Sequence, residues 1–360
     1  MKVLIISTVG LIYDGITSVI VSCLEAMERD GLDIYVAATG DSQENIRRRI
    51  EAMGCTIVNF PDRRKHTLAY ALALTRWIRR NRIQAVHAHG NSGTLAIEMC
   101  AAWLGGCRKR IAHSHNTRCD QVKADKLLRP VFNRFYTDAL ACGDAAGRWL
   151  FGDRPFTVLI NGRDTALFAY DADKRRAMRE ELQLGDALTI GHVGGFFEQK
   201  NHRFLMDIYR AILRREPDAK LFCVGDGPLR GEIEEAAADM GNSVIFTGTT
   251  DRVADYLQAM DGMLLPSLFE GLPLVAVEWQ INGLPCLMAD TVTAECALTD
   301  TAAFLSLTDS SDVWAEKIIA MARGNDRAAS AAKGAEQVRA AGFDVRDSAR
   351  MLKALYLGQQ

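Results

Sequence analysis

The feature that most restricts how this chain can fold is a rhythm in which short β-rich runs alternate with longer amphipathic ones, and which restarts midway. Strand-like segments at 2–8, 32–38, 55–60, 84–89, 109–114 and 139–142 are separated by helical patterns at 15–30, 42–53, 66–81, 92–104 and 125–138. Such alternation specifies parallel βαβ units, because parallel neighbours need a crossover long enough to hold a helix. After Thr157-Val158-Leu159-Ile160 and the turn dipeptide Asn161-Gly162, the pattern begins again with a strand from Leu188 that ends in a glycine loop at Gly194-Gly195. Further strands at 219–225, 243–247, 262–265, 285–289 and 303–307 then alternate with helices at 202–215, 229–240, 252–260 and 272–282. Two consecutive doubly wound α/β sheets fit this order, and 360 residues exceed one ordinary core. The expected domains are 1–163 and 164–344, with a closing helix at about 345–360 that can cross back onto the first.

Composition narrows the class. The chain is 48% hydrophobic, as a packed globular protein is, and no run of about twenty apolar residues is present to span a membrane. The first apolar run, Val3 to Ile6, is too short for a signal peptide and reads as a buried strand. Nine cysteines without C-x-x-C spacing read as reduced core residues, so a cytoplasmic location is expected. The net charge of -2 hides a basic first half and an acidic second half. The basic clusters Arg47-Arg48-Arg49, Arg63-Arg64-Lys65, Arg79-Arg80 and Arg108-Lys109-Arg110 suit solvated helix ends, an anionic membrane face or an acidic acceptor. No aromatic-basic interleaving accompanies them, so nucleic acid is not an expected partner.

The residues that carry chemistry fall at strand ends, where open α/β sheets bind ligands. The most specific stretch is Ser267-Leu268-Phe269-Glu270-Gly271-Leu272-Pro273 through Glu278. A strand gives way to a loop with one carboxylate, and Pro273 suits the first turn of a helix whose positive end can hold a diphosphate. Glu278 in that helix can accept from a ribose diol, and Glu270 can reach a transferred sugar. A second stretch, Gly191 to His202, places Gly194-Gly195 at a strand end with Lys200 beyond, a cradle in which the ammonium neutralises a leaving diphosphate.

In these residues the chain resembles the family 4 glycosyltransferases, retaining enzymes whose signature is two glutamates separated by seven residues, the first followed by Gly-x-Pro. Glu270-Gly271-Leu272-Pro273 to Glu278 matches it, and Lys200-Asn201 matches the family's Lys-Asn. Gly195 departs from it, standing where the family has an arginine; Arg203 and Arg230 are basic residues that could take that place. The resemblance implies the GT-B fold, two Rossmann-like doubly wound domains facing across a cleft, with the nucleotide sugar held mainly by the second. It also aligns Gly225 with a turn lining the nucleotide cleft, and Gly248 with Arg252 with the loop against the nucleobase. The loop before Gly15 and Ile16 is similar to the family's glycine-rich opening, so their backbone amides would touch the diphosphate.

Four of the seven histidines lie in Val86-His87-Ala88-His89-Gly90 and Ile111-Ala112-His113-Ser114-His115. The resemblance puts His115 opposite the transferred sugar and leaves His89 to shape the acceptor side. Strand alternation is expected to turn His87 and His113 elsewhere, and metal binding lacks acidic or cysteine partners at ligand spacing.

The implied activity is transfer of a sugar, with retention and without a metal or other cofactor, from a nucleotide diphosphate sugar of UDP type. The acceptor would be a glycan or lipid-linked sugar in capsule or exopolysaccharide synthesis at the inner membrane face. His115, Lys200 and Glu270 are the expected catalytic residues. A UDP-sugar epimerase of the same fold and a catalytically silent binding partner are the alternative readings.

Overall fold

The computed structural model describes residues 1–359, and its chain divides into two units. The first comprises Met1–Gly162 together with the last helix from Val345, and the second is Arg163–Asp344. Arg163 therefore belongs to the second unit, one residue earlier than the sequence suggests. Its amide donates to the Phe343 carbonyl at 2.7 Å, and its side chain pairs with Glu278 in the same unit.

The first unit runs β1 (Lys2–Ser7), α1 (Gly15–Ala26), β2 (Asp33–Ala38), α2 (Glu44–Ala52), β3 (Thr56–Asn59), α3 (Thr67–Asn81) and β4 (Ala85–His89). It continues through α4 (Ala96–Leu104), β5 (Lys109–Ser114), α5 (Val122–Phe135), β6 (Asp138–Ala141), α6 (Asp144–Phe151) and β7 (Thr157–Val158). The seven strands pair in parallel in the order β3-β2-β1-β4-β5-β6-β7.

Both faces of that sheet are covered, and β1 shows how a strand serves two cores at once. Val3 and Ile5 join one apolar cluster with residues of α1 and α2, whereas Leu4 and Ile6 join another with residues of α3, α4 and α5. Side chains of period two point to opposite faces, so a strand buried on both sides must be apolar throughout.

The second unit runs α7 (Ala172–Glu181), β8 (Thr189–Val193), α8 (His202–Leu213), β9 (Lys220–Val224), α9 (Arg230–Ala236), β10 (Val244–Gly248), α10 (Val253–Ala259) and β11 (Gly262–Leu265). Then come α11 (Leu274–Ile281), β12 (Cys286–Ala289), β13 (Ala302–Leu305), α12 (Ser311–Gly324) and α13 (Arg327–Ala340). Its six strands are parallel in the order β10-β9-β8-β11-β12-β13.

The final helix, α14 (Val345–Leu357), returns to the first unit. Leu352, Leu355 and Tyr356 bury themselves in the cluster that contains α1, and Ser348 Oγ donates to the Ile160 carbonyl at 2.7 Å. Among the described residues no helix is long and apolar enough to cross a membrane.

Each sheet reverses its strand order once, between β1 and β4 in the first unit and between β8 and β11 in the second. Loops leaving the carboxyl ends of such strand pairs diverge and open a crevice that ligands use. The glycine loop with Lys200 follows β8 and the Glu270 loop follows β11, so both candidate motifs sit at one switch point.

Candidate active site

In the second unit the loops after β8 and β11 are tied together before any ligand is considered. Leu268 N donates to the Gln199 carbonyl at 2.8 Å, and Gln199 Nε2 donates to the Phe269 carbonyl at 3.0 Å. These ties, one backbone and one from the Gln199 side chain, bring Lys200 Nζ to 2.6 Å from Glu270 Oε1. Ser267 Oγ donates to the same oxygen at 2.8 Å, and Gln199 Nε2 reaches Oε2 at 3.0 Å. Glu270 thus accepts three hydrogen bonds while its side chain is only 8% exposed. A carboxyl group so satisfied is fixed in orientation. Ser267 and Gln199 were not assigned roles from sequence, although both lie inside the two motifs.

The glycine turns stack against one another beside this pair. Gly194 N donates to the Val224 carbonyl at 3.0 Å, Phe196 N to the Asp226 carbonyl at 3.0 Å and Gly225 N to the Gly248 carbonyl at 3.0 Å. Gly225 adopts φ +143°, and a Cβ there would lie 2.2 Å from the Gly194 carbonyl oxygen. Lys200 runs along Gly194, whose hypothetical Cβ would meet Lys200 Cε at 3.0 Å. Asn201 takes the left-handed conformation, φ 53°, to turn the chain into α8.

Other sequence-derived candidates are placed less simply. Pro273 occupies the residue before α11, not its first turn, with φ -72° and ψ 102°. Gly271 is exposed and Leu272 half-buried in the loop before it. Glu278, expected to be open to a ribose diol, is 4% exposed and meets Arg163 Nε at 2.8 Å. Burial raises its carboxyl above the ordinary range more than Arg163 lowers it. A ribose there has to share the carboxylate with Arg163.

Arg252 sends its guanidinium to Glu181 at 2.8 Å and to Asp255 at 3.2 Å, so its side chain is already engaged by two carboxylates. Of the two arginines considered for the place of Gly195, Arg203 pairs with Glu232 on the surface. Arg230 pairs with Asp226 at 3.0 Å and lies over Gly248, whose hypothetical Cβ would be 3.3 Å from its Nη1. Arg230 is thus the one built into the stacked glycine turns.

In the first unit the switch point between β1 and β4 carries the opening loop and the histidines. Asp14 caps α1, its carboxylate accepting from Thr17 N at 2.7 Å. Gly15 is exposed with open space around its Cα, whereas the Ile16 side chain belongs to the core and offers only its backbone. Desolvation raises the Asp14 carboxyl against the opposing pull of the Thr17 amide. An anion approaching this helix start therefore meets a carboxylate beside the amides, a feature that Asp-Gly before an apolar run could have signalled.

The histidines correct one expectation. His87 and His113 do not turn away from His89 and His115, because residues two apart in a strand share a face. The rings of His87 and His89 are 4.1 Å apart and those of His113 and His115 are 4.1 Å apart, so all four form one stack. His115 Nε2 lies 2.8 Å from His89 Nδ1, and its amide donates to Asn91 Oδ1 at 3.0 Å. His115 Nδ1 is buried without a protein partner. Burial drives the His115 pKa down to about 3, so it is neutral at physiological pH.

Comparison with known proteins adds the family. Residues 13–166 match the model described as Glycosyltransferase Family 4, and residues 187–323 match that described as Glycosyl transferases group 1. The chain belongs to the family 4 glycosyltransferases. Among relatives of this family, EpsF of Bacillus subtilis, named as a glycosyltransferase, is 40% identical over 65% of this chain and 65% of its own length. An Escherichia coli protein named UDP-Gal:alpha-D-GlcNAc-diphosphoundecaprenol alpha-1,3-galactosyltransferase is 26% identical over 61% of each chain. The chain therefore matches somewhat under two thirds of the length of these relatives. Anabaena Alr3699/HepE, solved in complex with UDP-glucose, superposes with a TM-score of 0.81 at 17% identity, covering 99% of this chain and 100% of that one. That likeness establishes the GT-B fold for this family 4 member.

Proposed function

We propose that this protein is a retaining glycosyltransferase that takes a sugar from a UDP-sugar and gives it to a glycan or lipid-diphosphate-linked sugar during exopolysaccharide or capsule synthesis. The observation that carries the reading is the Lys200–Glu270 pair, 2.6 Å apart on loops from the two strands of the second sheet's switch point. Family membership supports the reaction class. The UDP-glucose complex of the Anabaena neighbour and the name of the Escherichia coli relative favour UDP as carrier and a lipid diphosphate as acceptor anchor.

In this scheme the acceptor hydroxyl attacks the anomeric carbon on the side of the leaving group. The bond from that carbon to the phosphate oxygen breaks, the new glycosidic bond forms, and the acceptor proton passes to the departing phosphate. No protein nucleophile is required, so the protein positions reactants and stabilises the charge that develops on the diphosphate. Lys200 and the start of α11 meet that charge, which replaces a metal at the donor. Donor binding exchanges partners: Lys200 turns from Glu270 to phosphate, and Glu270, still held by Ser267 and Gln199, accepts from sugar hydroxyls. Gly194, Gly195, Gly225, Gly248 and Arg230 line the nucleotide side, and His115 and His89 serve the sugar and acceptor.

A lipid-linked acceptor implies contact with an anionic membrane. The side of the first unit formed by α3, α4 and α5 exposes Leu68, Leu72, Trp103 and Leu127 beside Arg76, Arg80, Lys123 and Lys126. Helices that expose both apolar side chains and cations suit an anionic lipid surface.

Thermal-shift screening of the purified chain against UDP-, GDP- and ADP-sugars, followed by transfer to a polyprenyl-diphosphate sugar without added divalent cation, tests the proposal. Stabilisation by a UDP-sugar is expected, with a product of retained anomeric configuration. Lys200→Ala and Glu270→Ala should each lower turnover by about a hundredfold or more. Wild-type turnover in both variants would remove these assignments, and an epimerised UDP-sugar formed without acceptor would replace transfer by epimerisation.

A further inference from the structure

The proposed sugar chemistry uses two of the four stacked histidines and leaves His87 and His113 without a task. One ring nitrogen from each of His87, His89 and His113 lies within 4.8 Å of the others, and all three side chains are buried. They line a cavity of about 10 Å³ that Cys23 of α1 and Tyr356 of α14 help to close and whose remaining walls are apolar.

The hydrogen bonds leave lone pairs over. His87 Nδ1 is 2.7 Å from the Tyr356 hydroxyl and His89 Nδ1 is engaged with His115, so each of these rings offers its Nε2. His87 Nε2 is 3.2 Å from His113 Nδ1, close to the spacing of two nitrogens held at roughly 2.0–2.1 Å by one tetrahedral zinc ion. His113 Nε2 is buried with no partner. Burial and the neighbouring imidazoles hold all three rings well below the ordinary histidine range, and neutral imidazole is the form that binds metal.

We infer that His87, His89 and His113 form a site for one zinc-class divalent cation in tetrahedral coordination. Three neutral imidazoles leave the fourth position to a water molecule, whose loss of a proton to solvent would lower the buried charge from two to one. Tyr356 accepts from His87 Nδ1–H and fixes that ring, as hydrogen-bonded partners of metal-bound imidazoles do. A metal on His89 Nε2 also has a consequence for His115. His89 must then keep its hydrogen on Nδ1 and donate it to His115 Nε2, so His115 carries its own hydrogen on the unpartnered Nδ1 and becomes a donor. The inference stands on the first unit alone, and its test uses no sugar or nucleotide.

The full chain, stripped by chelator and titrated with Co²⁺ and Zn²⁺, should take up one equivalent of either, with Co²⁺ giving the intense visible absorption of a tetrahedral site. X-ray absorption of the zinc form should show three imidazole nitrogens at about 2.0–2.1 Å and no sulfur. Tyr356→Phe should weaken zinc binding by about 10–100-fold. His113→Gln should abolish it, and His66→Gln on the surface should leave it unchanged. No saturable binding, an all-oxygen shell around the wild-type metal, or full affinity in His113→Gln would overturn the assignment.

Discussion

Arg163 and Glu278, 115 positions apart in sequence, meet at 2.8 Å with both side chains 6% exposed. Removing one partner of a buried pair leaves the other charge uncompensated, which costs about 3–5 kcal/mol, whereas apolar replacement of both is far milder. Glu278→Leu alone should therefore lower the thermal midpoint of the chain sharply, and Arg163→Met with Glu278→Leu should recover most of the loss. Equal midpoints for the single and double variants would show that the pair is not coupled.

The buried histidines of both units should bend the pH dependence of stability, and those of the second unit illustrate it. Desolvation brings His192 down to about 4 and His202 to about 2, both from an ordinary value of 6.5. Below pH 6.5 the unfolded chain takes up protons that the folded chain refuses. The contribution of each ring is thus complete above 6.5 and is lost as pH falls, by about 1.4 kcal/mol per pH unit per histidine. Both His202 nitrogens are buried without partners and its ring stacks on Phe196 at 4.0 Å. His202→Leu should leave stability at pH 7.5 unchanged or higher and flatten the fall between pH 6.5 and 5, which thermal unfolding across that range measures.

Gly225→Ala should damage donor binding more than Gly15→Ala. A Cβ at Gly225 would lie 2.2 Å from the Gly194 carbonyl oxygen, forcing the stacked glycine turns apart, whereas nothing lies within 4 Å of a Cβ at Gly15. Calorimetric titration with UDP should show a loss of tenfold or more, of order 1.4 kcal/mol, for the first. Similar affinities for both variants would separate these turns from the nucleotide.

The membrane contact proposed for α3 depends on side chains that the fold leaves largely in solvent. Leu68 is 81% exposed and Leu72 is 56% exposed. Changing both to Gln should leave the thermal midpoint within about 0.5 kcal/mol of wild type, as surface changes do, while lowering co-sedimentation with anionic vesicles. Undiminished sedimentation would place the contact elsewhere.

Much of this architecture is legible in the sequence because its strands are buried on both faces and therefore apolar throughout, as Val3 to Ile6 illustrate. The helices that escape reading include α7, Ala172–Glu181, which buries only Met178, the eight-residue α6, and also α12, Ser311–Gly324, even though it buries Trp314, Ala315 and Ile318. At the site, the spacing of Glu270, Glu278 and Lys200 is visible in one dimension, but the partners these groups choose are not. Nothing near Arg163 signals its pairing with a helix more than a hundred residues away. The histidine stack was obscured by a different cause, since His87 and His89 share a face by the same period-two rule that was expected to separate them.

The second unit begins and ends at one point, with Arg163 N bonded to the Phe343 carbonyl and Arg163 bridged to Asp344 in parallel. Topologically it is an insertion into the first unit, whose own chain resumes at Val345 to complete a hydrophobic core already built. Two cuts at adjacent backbone positions would lift out the whole second unit as a cassette, leaving the strands of the first uninterrupted.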